Sequence, residues 1–122
     1  MLPSGITLRG VFTEAFPATS AGQVGATAVS FGGFRLGGKP VIHYIKYATP
    51  APAECPGTID RPEAAAGHLC IHEQAAFNVS STFVRNPTTN DVPANESGFA
   101  IAAVSTGSGT AEVRGSWAVT SP

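Results

Sequence analysis

The stretch AEVRGSWAV, residues 111–119, alternates apolar and polar side chains. Ala111, Val113, Trp117 and Val119 fall on one side of an extended chain, and Glu112, Arg114 and Ser116 on the other. Side chains of a strand point to opposite faces in turn, so the pattern reads as a strand with one dry and one wet face. ITLRGVF, residues 6–12, has the same build, with Ile6, Leu8 and Phe12 apolar and Thr7 and Arg9 alternating with them. The two share a local echo, LRGVF at 8–12 and VRGSW at 113–117, in which Gly lies on the same face as an aromatic two residues later. If the two strands pair antiparallel, each Gly leaves room for its neighbour's ring, an arrangement that pins register in sheets. Arg9 and Arg114 then share the opposite face, staggered because like charges directly opposite are unfavourable.

Working inward from both ends, the same short-strand signals recur. Residues 23–36 (QVGATAVSFGGFRL) read as one or two strands broken at Gly32 and Gly33, and residues 41–47 (VIHYIKY) as a strand that is apolar on both faces. Residues 68–77 (HLCIHEQAAF), 79–85 and 98–105 (GFAIAAVS) follow, with EQAAF open to a helical turn. GSGT, residues 107–110, reads as a hairpin turn. Fourteen Gly and ten Pro leave few windows for a helix. The expected fold is all-β, a single domain over residues 1–122 built as an antiparallel β-sandwich or jelly roll of about seven or eight short strands. Two stretches are loops: residues 49–67 with four prolines, and residues 86–97. Loops of that length are uncommon unless functional or tethered.

Composition excludes several function classes. Charged residues make up 12% of the chain and the net charge is −1, which offers no electrostatic footprint for nucleic acid. No apolar run is long enough for a membrane-spanning helix. With 43% hydrophobic residues and so little charge, part of the surface is expected to be buried against other chains. Cys55 lies in the 49–67 loop and Cys70 in the strand that follows. An even pair at loop spacing points to a disulfide, and hence to an oxidising, extracytoplasmic setting.

Chemistry-bearing residues are sparse. In HLCIH, residues 68–72, the alternation puts His68, Cys70 and His72 on one face. With Cys55 they would make a zinc set only if the sulfurs were free, and the spacing fits no common zinc module. With the sulfurs bridged, His68 and His72 are the alternative metal pair, against an expectation of no metal and no cofactor. His43 shares a face with Val41, Ile45 and Tyr47 if Ile42 and Tyr44 turn to the core, and these four residues are the interface candidates. The carboxylates Asp60, Glu63, Glu73, Asp91 and Glu96 are scattered and select no glycosidase-type pair. Asn90, Asp91 and Glu96 lack the regular spacing of calcium loops. Asn78 and Asn95 stand in glycosylation sequons, which indicate surface placement at most. There is no G-x-S-x-G elbow, phosphate-binding loop or H-E-x-x-H, and no catalytic residue is expected.

LPSGITLRGVF, VSFGGFRLGGKPVIHYI, CPGTIDRPEAAAGHLCIHE and RGSWAVTSP, taken in order, resemble a C-terminal globular domain of secreted, often collagen-like, proteins of actinobacteria and related soil bacteria. The resemblance spans nearly the whole chain, although FGGFRLGGKP stands where that family carries Pro-rich text. It implies a secreted domain, a Cys55–Cys70 bridge and a stalk upstream, with Met1 an added start. It carries no catalytic residue. A collagen-like stalk is trimeric because three strands wind around Gly. The expectation is therefore a non-enzymatic extracellular or cell-surface head that forms a homotrimer, without nucleic acid or membrane insertion. The alternatives are a phage or virion fibre or decoration module and a carbohydrate-binding or hydrolytic domain.

Overall fold

In the computed structural model, which describes residues 1–89 and 94–122, the strands form two sheets. Among the described residues there are seven strands and no helix: β1 (Thr7–Ala18), β2 (Val24–Ser30), β3 (Val41–Ile45), β4 (His68–Phe77), β5 (Val79–Arg85), β6 (Gly98–Ser105) and β7 (Gly109–Thr120). One sheet has the order β1-β7-β4-β3, the other β2-β6-β5. The pairing of β1 with β7 encloses that of β2 with β6, the nesting expected of a jelly roll. No helix is long and apolar enough to cross a membrane among the described residues.

The terminal strands pair antiparallel along their whole length, from Thr7 opposite Thr120 to Ala18 opposite Gly109. Gly10 lies opposite Trp117 and Phe12 opposite Gly115, so each aromatic faces the other strand's glycine. A Cβ at Gly10 would sit 2.7 Å from the Trp117 ring. A Cβ at Gly115 would collide with the His72 carbonyl of β4 and come to 3.0 Å from Phe12. There the β4 register shifts between Glu73 and Ala75, a bulge beside Gly115. Arg9 pairs with Ala118 and Arg114 with Thr13, which staggers the two cations as expected.

Trp117 also meets Phe31 at 5.6 Å and Phe99 edge-on at 5.8 Å between centroids. This aromatic knot joins the two sheets, with Leu69, Ile71, Ile101, Val113 and Val119 packed around it. The indole Nε1 is buried with no hydrogen-bond partner, so Trp117 acts there as an apolar body.

Of the one or two strands expected over residues 23–36 one forms, β2; the chain then turns at Gly32 and Gly33 and buries Phe31 and Leu36 from a loop. Three expectations need correction. The sandwich is not wholly antiparallel, because β3 and β4 run parallel from Val41 beside His68 to Ile45 beside His72. Parallel neighbours need a long crossover, and residues 46–67 supply it without a helix. GSGT is no hairpin, because β6 and β7 belong to different sheets and the turn carries the chain between them. Asn78 clamps that crossing, donating from Nδ2 to the Gly107 carbonyl and accepting at Oδ1 from the Gly107 amide. Finally, β1 and β7 are 12 residues long, longer than the short strands expected.

The close fit at the two glycines sets a stability order. Gly10→Val and Gly115→Val should each cost about 3 kcal/mol or more, since a rigid ring or a backbone carbonyl must give way. Arg9→Ala should cost about 1 kcal/mol or less, because its ion pair is half-exposed. Urea melts of the three variants check this order.

Candidate functional site

The outer face of the four-stranded sheet is where the candidate residues gather, and it carries its own cover. Ser116, Ala118 and Thr120 of β7 point outward yet are buried, because the 46–67 crossover lies across them. Ser116 Oγ donates to the Ile59 carbonyl at 2.6 Å and Thr120 Oγ1 to the Ala64 carbonyl at 2.7 Å. Arg9 donates from Nε to the Pro62 carbonyl at 2.7 Å and pairs with Glu63 at 3.5 Å. Two strands, β1 and β7, thus hold this strap through side chains that face away from the core. The fastener is the disulfide between Cys55 and Cys70, with Cα atoms 5.7 Å apart. Closing a loop with a sequence separation of 15 stabilises by roughly 3 kcal/mol in the chain-entropy account. Both cysteines are buried with Ile45 and Ala64 in a small second cluster.

The strap decides which of the expected site residues remain reachable. Ile42 and Tyr44 pack toward the core, which leaves Val41, His43 and Ile45 on the outer face as expected. Val41 and Tyr47 are exposed and His43 is half-buried. Ile45 is corrected as an interface candidate, because it is buried against the disulfide under the strap. His68, Cys70 and His72 do share one face, but the two histidines part company. His68 meets His43 on the neighbouring strand, with Nδ1 of His68 and Nε2 of His43 2.8 Å apart. The ring centres are 5.1 Å apart with planes 23° from parallel, so the rings meet edge to edge through the facing nitrogens. His72 is buried, and its Nε2 has no hydrogen-bond partner. Ser116, its neighbour on β7, spends its hydroxyl on the strap instead.

The His43–His68 contact was missed by reading each strand alone. The signal that could have raised it is the long 46–67 connection, which is long enough for a parallel pair; that pairing sets V41-x-H43 beside H68-x-C70. No group of three or more His, Cys, Asp or Glu side chains is placed to hold a metal among the described residues. Of the calcium-loop candidates, Asn90 and Asp91 lie outside the described residues, and Glu96 pairs with Arg35 at 4.0 Å. Asp91 as a carboxylate candidate lies outside them too.

Glu73 is a buried carboxylate with a structural task. It accepts from Tyr44 Oη at 2.9 Å and from the Tyr47 amide at 3.0 Å, which ends β3 and starts the strap. Burial, with the Glu73 charge adding to it, holds the Tyr44 phenol above its usual range. Beyond Glu73 a shallow cavity of about 370 Å³ opens between Tyr47, Gln74, Phe77 and Arg114. Arg114 lies 5.8 Å from the Phe77 ring centre and donates from Nε to Gln74 at 2.9 Å. Exposed aromatics beside planar polar groups give this groove the means to take a polar, ring-shaped ligand.

His72 makes the strap sensitive to acid. Burial disfavours its charged form and holds its pKa below the ordinary 6.5. Below that value the unfolded chain binds a proton that the folded chain resists, so stability falls as pH drops. Urea melts from pH 7.5 to 5 should show a steeper loss for the native chain than for His72→Leu. Parallel curves would assign the acid sensitivity to another group.

Comparison with family models, curated proteins and solved structures finds no match.

Proposed function

We propose that this chain is a non-enzymatic extracellular interaction domain that assembles with copies of itself as the head of a longer collagen-like or fibre surface protein. The observation that carries this reading is the outer face of the three-stranded sheet. There Val24, Ala26 and Ala28 of β2 lie opposite Val104, Ala102 and Ala100 of β6, and Phe83 of β5 continues the middle row. Val24 and Phe83 are 64% and 41% exposed. Arg85, which shares this face, is folded over the Phe83 ring at 5.0 Å.

An antiparallel sheet that faces water normally alternates apolar and polar residues, and β2 and β6 do not. Their sequences, VGATAVS and GFAIAAVS, are apolar or small on both faces. The other sheet has a strap over its outer face; this one has none among the described residues. A face of mostly small or apolar side chains with little charge suits close packing against a like face. It replaces the β3 face as the interface to test first.

Further features support the setting. The disulfide fits an oxidising compartment. Both ends of the chain run side by side, with the Gly5 amide on the Ser121 carbonyl at 2.9 Å and Ser121 Oγ on the Leu2 carbonyl at 3.0 Å. A head joined to a stalk at that end leaves its faces free. Three copies is the stoichiometry that a collagen-like stalk would impose.

Size-exclusion chromatography with light scattering tests the reading. The chain should run as a trimer at tens of micromolar, and Ala26→Glu with Ala28→Glu should return it to a monomer with its thermal midpoint kept. A native monomer would overturn the assembly. If that monomer bound glycans and lost them on Phe77→Ala, the carbohydrate-binding alternative at the Tyr47–Phe77 groove would take its place.

A further inference from the structure

His43 and His68 stand on adjacent parallel strands at the open edge of the four-stranded sheet. Their facing nitrogens, Nε2 and Nδ1, are 2.8 Å apart, and neither ring has another hydrogen-bond partner among the described residues. Both rings are half-buried, and Val41 beside them is 54% exposed, so the pair is reachable from solvent. Two such nitrogens can share one proton, one ring donating and the other accepting. In the observed pose each nitrogen points at the other, as in a single hydrogen bond; rotating both rings about their side-chain bonds would turn the two lone pairs toward one metal ion instead. Metal–imidazole bonds of about 2.0–2.1 Å, meeting at an angle between square and tetrahedral, separate the two nitrogens by roughly 2.8–3.4 Å. The observed 2.8 Å lies at the short end of that range.

The backbone beneath the pair is fixed before any ion arrives. Cys70, opposite His43, is bonded to Cys55. The Val41 amide donates to the Gly67 carbonyl at 2.9 Å and the Gly67 amide to the Thr120 carbonyl at 2.8 Å. Those bonds hold both strand starts against β7, which is the pre-organisation a small chelate needs. Imidazole nitrogen suits copper, nickel and zinc rather than calcium or magnesium.

We propose that His43 and His68 form a two-histidine site for a divalent transition-metal ion, Cu²⁺, Ni²⁺ or Zn²⁺. Two protein ligands leave the remaining coordination positions to water or to a group from another molecule. His72 takes no part, since it lies under the strap with its row blocked by Ser116 and Ile45. Imidazole binds a metal ion only when neutral, so uptake weakens in acid.

Calorimetric titration of the full chain with NiCl₂, CuCl₂ and ZnCl₂ at pH 7.5 tests the site. One ion per chain is expected for at least one of the three. His43→Gln and His68→Gln should each weaken binding at least tenfold, and His72→Gln should leave it unchanged. In the native chain, imidazole nitrogen NMR with the diamagnetic Zn²⁺ or with sub-stoichiometric Ni²⁺ should perturb His43 Nε2 and His68 Nδ1, a readout that needs no variant to fold. Absence of uptake, uptake that persists in the His43→Gln/His68→Gln double variant, or perturbation centred on His72 would overturn the proposal.

Discussion

The Trp117 indole lies against Gly10, and the sandwich closes around that contact. Gly10 has no side chain, so the ring of the opposite strand can reach the β1 backbone. From there Trp117 extends to Phe99 of the other sheet and to Phe31 in the loop that follows β2. One residue thereby fixes the register of the two terminal strands and the spacing of the two sheets. Phe12 over Gly115 repeats the arrangement one turn of the pleat away and admits the β4 backbone beside it. A slip of one residue would turn Trp117 and Val119 to solvent, which is why the register is firm.

With that pairing in place, β7 becomes the centre of the four-stranded sheet, and its outer side chains become the floor for the strap. The strap is the consequence of a parallel neighbour. Because β3 and β4 run the same way, the chain must travel the length of the sheet between them, and it does so as irregular backbone. Irregular backbone over a sheet has amides and carbonyls to satisfy. Here Ser116, Thr120 and Arg9 satisfy three carbonyls, and the disulfide holds the middle. The same constraint brings His43 diagonally beside His68 and buries His72, so the chemistry available on this face follows from the direction of one short strand.

Much of the fold was legible in the sequence because its strands alternate cleanly where one face is wet. The parity of AEVRGSWAV and ITLRGVF put glycine and aromatic on one face and so suggested an antiparallel pairing; like-charge repulsion then suggested the stagger of the arginines, and the register has both. The bridge between Cys55 and Cys70 followed from spacing. What was not legible depended on direction or on sheet membership. VIHYIKY is apolar on both faces, so its pattern carries no sign of a parallel neighbour. GSGT looks the same whether it turns within a sheet or between two. The outer face of the three-stranded sheet escaped notice because Ala and Gly are neutral in any hydropathy pattern, and only the register of β2 on β6 shows that they form a surface.

A double-mutant cycle on Gly10 and Trp117 tests the central claim most directly. Gly10→Ala is measured by urea melts in the native chain and in Trp117→Leu. If the ring occupies the space over Gly10, the added methyl should cost at least about 1 kcal/mol less once the indole is gone, a coupling well beyond that of independent sites. Strict additivity of the two substitutions would contradict the account.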